Sequence, residues 1–156
     1  MARTRGLFSP EPGSPARPAV LRDDQWGHAP HITPLGQIVG YGQVAGPDTS
    51  LLTQPSRAIM QAAKKAGVDV GSIDLFEINE AFAAVGLASA DDLGIDEAKI
   101  NVNGGAIALG HPVGMSGTRV ALTALLELRR RGADTAAVAL CGGGGQGDAA
   151  ILRVFR

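Results

Sequence analysis

Three residues, each in a polar segment at the end of a predicted strand, have side chains suited to proton transfer or to binding a carbonyl oxygen. These are Asn79, His111 between a glycine and a proline, and Cys141 directly before the run Gly142–Gly147. A neutral imidazole could donate a hydrogen bond to a developing oxyanion, and an asparagine can hold a water or donate to a carbonyl. A cysteine thiolate can act as a general base, while the backbone N–H groups of Gly143 and its neighbours could form an anion-binding nest. These parts could together move a proton and stabilise negative charge on oxygen.

Each of these side chains also has a structural interpretation, and the residue types alone do not decide between the two. Asn79, at a strand–helix junction, could be a helix cap. A lone histidine such as His111 is more often a hydrogen-bonded structural residue, and Cys141 could be an inert buried hydrophobe. The other two histidines, His28 and His31, are interpreted as solvated.

The hydrophobic pattern predicts alternating strands and helices that would position the three segments. The predicted order is β-α-β-α-β-α-β-β, with strands at 37–44, 75–79, 100–103, 135–141 and 148–155 and helices at 54–66, 80–93 and 115–131. Such alternation is typical of an α/β fold with a mostly parallel sheet covered by helices on both faces. The short glycine connection should make the last two strands antiparallel. Because ligands bind at the carboxyl ends of strands in open α/β sheets, the three segments should converge at one edge.

Composition and charge exclude several classes of protein. The length of 156 residues favours a single domain, and the net charge of -1 excludes a strongly basic nucleic-acid or membrane-surface protein. No apolar run reaches the roughly 18 residues of a membrane-spanning helix. The single cysteine excludes an intramolecular disulfide and a cysteine-based zinc site. We expect no bound metal and no nucleic-acid or membrane partner.

The beginning of the chain differs in composition from the rest. Five of the nine prolines fall in the first thirty residues, which contain few aliphatic side chains. We predict a poorly ordered leader over residues 1–33 and one domain over residues 34–156. Because this segment lacks the long apolar stretch of a secretory signal, we expect a cytoplasmic protein.

The run Gly142–Gly147 matches the pattern G-x-G-x-x-G, which joins a strand to a helix in dinucleotide-binding proteins. Here a strand is predicted to follow the glycines instead of a helix. We therefore reject a nucleotide-binding interpretation and expect no nucleotide cofactor.

Three sequence motifs, in this order and spacing, resemble those of one enzyme family. They are NEAFA from Asn79, NVNGGAIALGHPVGMSGTR from Asn101 and CGGGGQG from Cys141. Together they resemble the C-terminal domain of the thiolase family, most closely its acetyl-CoA acetyltransferase type, over about residues 34–156. The resemblance implies the thiolase half-domain, a five-stranded mixed sheet between helix layers.

The resemblance also implies an acyl-CoA C-acyltransferase activity and a role for each candidate residue. Cys141 would be the acid/base that removes a proton from the α-carbon of acetyl-CoA or returns it. His111 would help activate the nucleophile and donate to the thioester oxygen, in an oxyanion hole where Asn79 positions a water. The backbone N–H of Gly143 would contribute to a second oxyanion hole. The substrates would be coenzyme A thioesters, in thiolytic cleavage of, or Claisen condensation to, a 3-oxoacyl-CoA.

The cysteine content departs from the family pattern. Thiolases carry a nucleophilic cysteine in an N-terminal half, whereas the 156 residues contain only Cys141, and the residues before Pro34 do not resemble that half. The reaction needs a thiol to carry the acyl group as well as a base to form the attacking carbanion. We therefore expect the chain alone to be inactive, either from a truncated gene or as half of a split enzyme with a separate N-terminal chain. The alternative function is a non-catalytic assembly or CoA-binding module.

The predicted helix 80–93 is apolar nearly all round and resembles a helix buried between two thiolase halves. In the chain alone it should leave an exposed apolar patch of the kind that drives association. We therefore expect self-association into a homo-oligomer, or poor solubility.

Overall fold

A computed structural model of the chain describes residues 34–155. The leader predicted for residues 1–33 lies outside the described residues and stays a prediction. The described residues form the strands β1 (Gly36–Ala45), β2 (Leu75–Ile78), β3 (Thr135–Gly142) and β4 (Gln146–Val154), and the helices α1 (Gln54–Ala66), α2 (Ala83–Leu93), α3 (Ala106–Leu109) and α4 (Val113–Arg131).

The four strands form one mixed sheet in the order β1-β4-β3-β2. β2 and β3 are parallel, whereas β4 pairs antiparallel with both β3 and β1. The antiparallel pairing of the last two strands is therefore confirmed. Only one of the three strand pairs is parallel, so the sheet is less parallel than the alternation of elements indicates.

Alternate residues of the strands divide the core into two layers, because successive side chains of a strand point to opposite faces. Ala137 and Ala139 of β3 pack with Ile59 of α1 and Val85 of α2 on one face. Ala136 and Val138 of β3 belong to the opposite cluster, which helix α4 covers with Val120, Ala124 and Leu128. Helices therefore lie on both faces of the sheet, as predicted.

Local sequence signals account for both ends of α1 and for the end of α4, whereas α4 begins at Val113, two residues before the predicted start. α1 has the predicted bounds, with Pro55 in its first turn, where the missing N–H of proline costs no helical hydrogen bond. Gly67 and Gly132 follow α1 and α4 in the left-handed conformation, with φ of 65° and 67°, that commonly ends a helix. No helix within residues 34–155 is long and apolar enough to cross a membrane.

The strand predicted at 100–103 is reduced to a single bridge between Phe76 and Ile100. The side chain of Asn101 takes the place of a strand partner: Oδ1 accepts from Ile78 N at 2.9 Å, and Nδ2 donates to Ile78 O at 2.8 Å. Asn101 itself has a φ of 47°, outside the range of a strand. The described sheet therefore has four strands where five were predicted.

Candidate active site

The parallel pairing of β2 and β3 places Asn79 and Cys141 at the same edge of the sheet. Ile78 is opposite Ala139 in the ladder, and Asn79 N donates to Ala139 O at 2.9 Å. Cys141 lies two residues farther along β3. The convergence expected from the strand order therefore holds for these two segments.

His111 reaches the same edge from the connection between α3 and α4. Its Nε2 lies 3.5 Å from Asn79 Nδ2, so the structure brings these two predicted site residues together. Asn79 is buried, and its Oδ1 has no hydrogen-bond partner among the described residues. A buried amide with an unused acceptor can bind a small polar ligand or a water.

Ser116, which the sequence analysis did not single out, holds the other side of the His111 ring. His111 Nδ1 and Ser116 Oγ are 2.6 Å apart, and Ser116 Oγ donates to Pro112 O at 3.1 Å. The sequence signal that could have found Ser116 is its position, because a hydroxyl in the first turn of a helix can reach the residues just before that helix. Ser116 is fully buried, which limits the directions its hydroxyl can take.

Glu80, just after β2, accepts hydrogen bonds that hold the segment before His111 at the end of that strand. Its Oε2 accepts from Ile107 N at 2.9 Å, and its Oε1 accepts from Asn101 Nδ2 at 3.1 Å. A Cβ on Gly105 would collide with the Glu80 carboxylate, so a larger residue there would displace the carboxylate from these two hydrogen bonds. The irregular segment around Glu80 also explains why α2 begins at Ala83 and not at the predicted Glu80.

Cys141 is half-buried, and burial raises the pKa of its thiol above the ordinary value. Its side chain packs with the cluster on the α1 face. Within residues 34–155 it shares a sheet edge with Asn79 and His111 and makes no hydrogen bond to either. With a raised pKa, the resting group near neutral pH is the protonated thiol, which can give a proton and then take one back.

The glycine turn between β3 and β4 exposes backbone beside Cys141. Gly143 is exposed, and Gly144 and Gly145 have φ of 81° and 76°. Successive backbone N–H groups in such conformations can form a concave nest for an anion. The turn is held in place by Gly46 N, which donates to Gly145 O at 2.9 Å.

Buried charges lie beside the site on the α4 face of the sheet. Burial raises the pKa of Glu77 to about 7, against a lowering contribution from Arg119. The Arg130 guanidinium and the Asn103 amide, both hydrogen-bonded to Glu127, hold the pKa of that carboxyl well below its usual range. Within residues 34–155 no group of three or more histidine, cysteine or acidic side chains could hold a metal ion.

Comparison with known proteins yields one family. The profile described as "Thiolase, C-terminal domain" matches residues 32–154. A probable acetyl-CoA acetyltransferase from Mycolicibacterium smegmatis is 60% identical over 122 residues, covering 78% of this chain and 31% of that protein. The cytosolic acetyl-CoA acetyltransferase of Mus musculus is 50% identical over 123 residues, covering 78% of this chain and 31% of that protein.

The fold comparison agrees with the sequence comparison. A crystal structure of human mitochondrial 3-ketoacyl-CoA thiolase in complex with CoA superposes with a TM-score of 0.80 and 45% sequence identity. The superposition covers 85% of this chain and 34% of that chain. The chain thus spans about a third of the length of the relatives it matches.

Proposed function

The chain belongs to the thiolase family, as a thiolase C-terminal domain, and on that premise we propose that it supplies the acid/base and oxyanion-hole residues of an acyl-CoA C-acyltransferase. The reaction would be thiolytic cleavage of, or Claisen condensation to, a 3-oxoacyl-CoA. The observation that carries this proposal is the contact of Asn79 with His111 at 3.5 Å, on the sheet edge where Cys141 ends a buried strand.

The acid/base step is assigned to Cys141. In cleavage, the bond between C2 and C3 of the 3-oxoacyl-CoA breaks, the acyl group passes to a nucleophilic thiol, and the Cys141 thiol protonates C2 of the departing acetyl-CoA. In condensation, the Cys141 thiolate removes a proton from that same carbon. The raised pKa of Cys141 supports this role, because the thiol holds its proton until a carbanion or enolate accepts it.

Stabilisation of charge on oxygen is assigned to two groups of donors. His111, with Asn79 positioning a water, would stabilise the thioester oxygen, and the Gly143 N–H would stabilise the second oxyanion. Donors aimed at the place where charge develops contribute a large part of such catalysis. Cys141 serves one of the two thiol roles, so we propose that the nucleophile comes from an N-terminal thiolase half and that the 156-residue chain alone is inactive.

The location, the oligomeric state and the substrates of the protein are part of the same proposal. We propose a cytoplasmic homo-oligomer whose substrates are coenzyme A thioesters. The cytosolic name of the mouse relative and the CoA complex of the human structure support the location and the substrate class.

A chimera tests the assignment of Cys141. Residues 34–155 replace the matching segment of the Mycolicibacterium smegmatis relative, which provides the remaining two thirds of a whole protein. We expect thiolysis of acetoacetyl-CoA, measured by loss of its absorbance in the presence of CoA. Cys141→Ala should lower kcat/KM at least about 10³-fold, since it removes the group that transfers the proton.

Lys64→Ala is the matched control, because Lys64 is exposed in the last turn of α1, away from the site. It should leave kcat/KM within about twofold of the parent chimera. A folded chimera without activity would contradict the proposal. Titration of the 156-residue chain with acetyl-CoA by calorimetry would then decide whether a CoA-binding module remains.

A further inference from the structure

We propose that Ser116 is a positioning residue that holds the His111 imidazole in the tautomer with its proton on Nδ1. Nε2 then carries the ring's lone pair, which accepts from Asn79 and can take up a proton when a thiol displaces that contact. The catalytic consequence rests on the proposed function, whereas the tautomer is a property of the chain that can be measured without substrate.

Three polar contacts at His111 and Ser116 are all satisfied by one assignment of hydrogen-bond donors and acceptors. Asn79 Nδ2 is only a donor, so Nε2, at 3.5 Å from it, is the acceptor in the neutral ring. The ring proton is then on Nδ1, which lies 2.6 Å from Ser116 Oγ. The single hydroxyl proton of Ser116 is directed to Pro112 O at 3.1 Å, which leaves an Oγ lone pair to accept from Nδ1–H.

Burial restricts the hydrogen-bond partners of the Ser116 hydroxyl. Ser116 is fully buried at the start of α4, and its described side-chain partners are His111 and Pro112. A buried hydroxyl cannot exchange these partners for water without cost. In a catalytic histidine, the hydrogen bond made by one ring nitrogen commonly determines which of the two nitrogens carries the proton. Here Ser116 contacts Nδ1, the nitrogen that does not face Asn79.

The tautomer determines what Nε2 can do during the reaction. The S–H bond of the attacking thiol breaks as an N–H bond forms at Nε2, and the ring becomes an imidazolium that keeps its Nδ1–H bond to Ser116. The new Nε2–H can then donate to the thioester oxygen until it returns the proton. One ring thereby serves first as base and then as oxyanion donor, without turning.

The direct test is nitrogen NMR of the 156-residue chain, labelled with ¹⁵N on histidine. His28→Gln and His31→Gln leave His111 as the one imidazole, since the sequence has three histidines. The spectra are recorded at pH 8.5, on the alkaline side of the ordinary histidine range. Long-range proton–nitrogen correlation then separates the protonated from the unprotonated nitrogen.

We expect Nδ1 to be the protonated nitrogen in the parent chain. Ser116→Ala should lower the ratio of the Nδ1–H to the Nε2–H tautomer roughly fivefold, as expected for loss of one ordinary hydrogen bond. Ser56→Ala is the matched control, because Ser56 is also a fully buried serine in a first helical turn that donates to a carbonyl, Thr53 O. It should leave the ratio unchanged.

Two results would overturn the inference. One is a parent chain with its proton on Nε2, which would mean that Ser116 donates to Nδ1; this result needs no variant to fold. The other is an unchanged ratio in a folded Ser116→Ala chain. Loss of activity in the chimera, by contrast, would remove the proposed function and leave the measured tautomer as it is.

Discussion

Glu77 lies on the α4 face of β2, two residues before Asn79. Its side chain is buried, and its Oε2 has no hydrogen-bond partner among the described residues. Burial raises its pKa from 4.5 to about 7, and Arg119 offsets this only in part. The folded chain therefore binds the Glu77 proton more tightly than the unfolded chain does. By linkage, this contribution to stability is full below pH 4.5 and is lost as the pH rises through 7.

The free energy of unfolding should accordingly fall by about 2 kcal/mol between pH 5.5 and pH 8.5. Glu77→Gln should remove most of this slope, because it replaces the ionisable group with a neutral one of the same shape. Urea denaturation at several pH values, followed by circular dichroism, measures the slope. Glu97→Gln, which removes an exposed carboxyl, is the control and should keep the parent slope. Equal slopes in the parent and Glu77→Gln would contradict the argument.

Residue types near strand ends were enough to select Asn79, His111 and Cys141. A histidine and a cysteine beside glycines suit proton transfer, and an asparagine at a strand–helix junction can hold a water or donate to a carbonyl. Their catalytic roles stay predictions. Ser116 was not predictable in this way, since a serine at the start of a helix is ordinary and only the folded chain shows its contact with the imidazole. The direction of the Cys141 side chain also depends on the sheet, which places it on the α1 face.

At the scale of elements, most strands and helices follow from hydrophobic periodicity. The exception is the strand expected at 100–103, whose apolar residues alternate correctly in the sequence. Asn101 interrupts it, because its amide satisfies the N–H and C=O of Ile78 that a strand would otherwise pair with. Periodicity reports which residues are apolar, and it carries no information about a side chain that substitutes for a strand.

The turn between β3 and β4 gives a test at this scale. Gly145 has a φ of 76°, and a Cβ there would lie 1.9 Å from Asp48 O, a backbone atom. Gly145→Ala should therefore lower the free energy of unfolding by about 3 kcal/mol or more, from backbone strain and overpacking together. Urea denaturation at constant pH measures the change.

Gly143→Ala is the matched control within the same turn. A Cβ at Gly143 would meet nothing within 4 Å, so its free energy of unfolding should stay within about 0.5 kcal/mol of the parent. The substitution also keeps the backbone N–H that we propose for the second oxyanion hole. Similar losses of stability for the two alanine variants would show that the turn is not packed as described.

At the scale of the whole molecule, the α/β fold and the thiolase family were predictable because the motifs are long and ordered along the chain. The thiolase C-terminal profile over residues 32–154 confirms that assignment. An exposed apolar patch on the surface was predictable, but the side chains that form it were not. The amphipathic pattern of α1 predicts its buried face, whereas α2 buries Val85, Ser89 and Ala90 and leaves Leu87 51% exposed.

Leu87 and Ile107 line a groove of about 440 Å³ between α2 and α3. Phe82 and Val113 add two more exposed apolar side chains near the starts of α2 and α4. Contiguous apolar surface of this kind drives association. We expect the 156-residue chain to self-associate, with a weight-average mass by light scattering that rises with concentration.

Leu87→Ser should reduce this association, because it places a hydroxyl in the groove. Leu126→Ser is a matched control, since Leu126 is also a helical leucine that is 51% exposed, on α4. It should leave the mass at each concentration nearly unchanged. A monodisperse parent monomer, or equal effects of the two serine variants, would contradict a groove-driven interface.

The measurement that tests the central claim most directly is exchange of the acetyl-CoA methyl protons in D₂O, catalysed by the chimera and followed by mass spectrometry. It isolates proton transfer at the α-carbon, the step assigned to Cys141, from acyl transfer to the nucleophile. We predict that Cys141→Ala abolishes exchange while acetylation of the nucleophilic cysteine by acetyl-CoA persists. Exchange that continues at the parent rate in Cys141→Ala would show that another group is the acid/base.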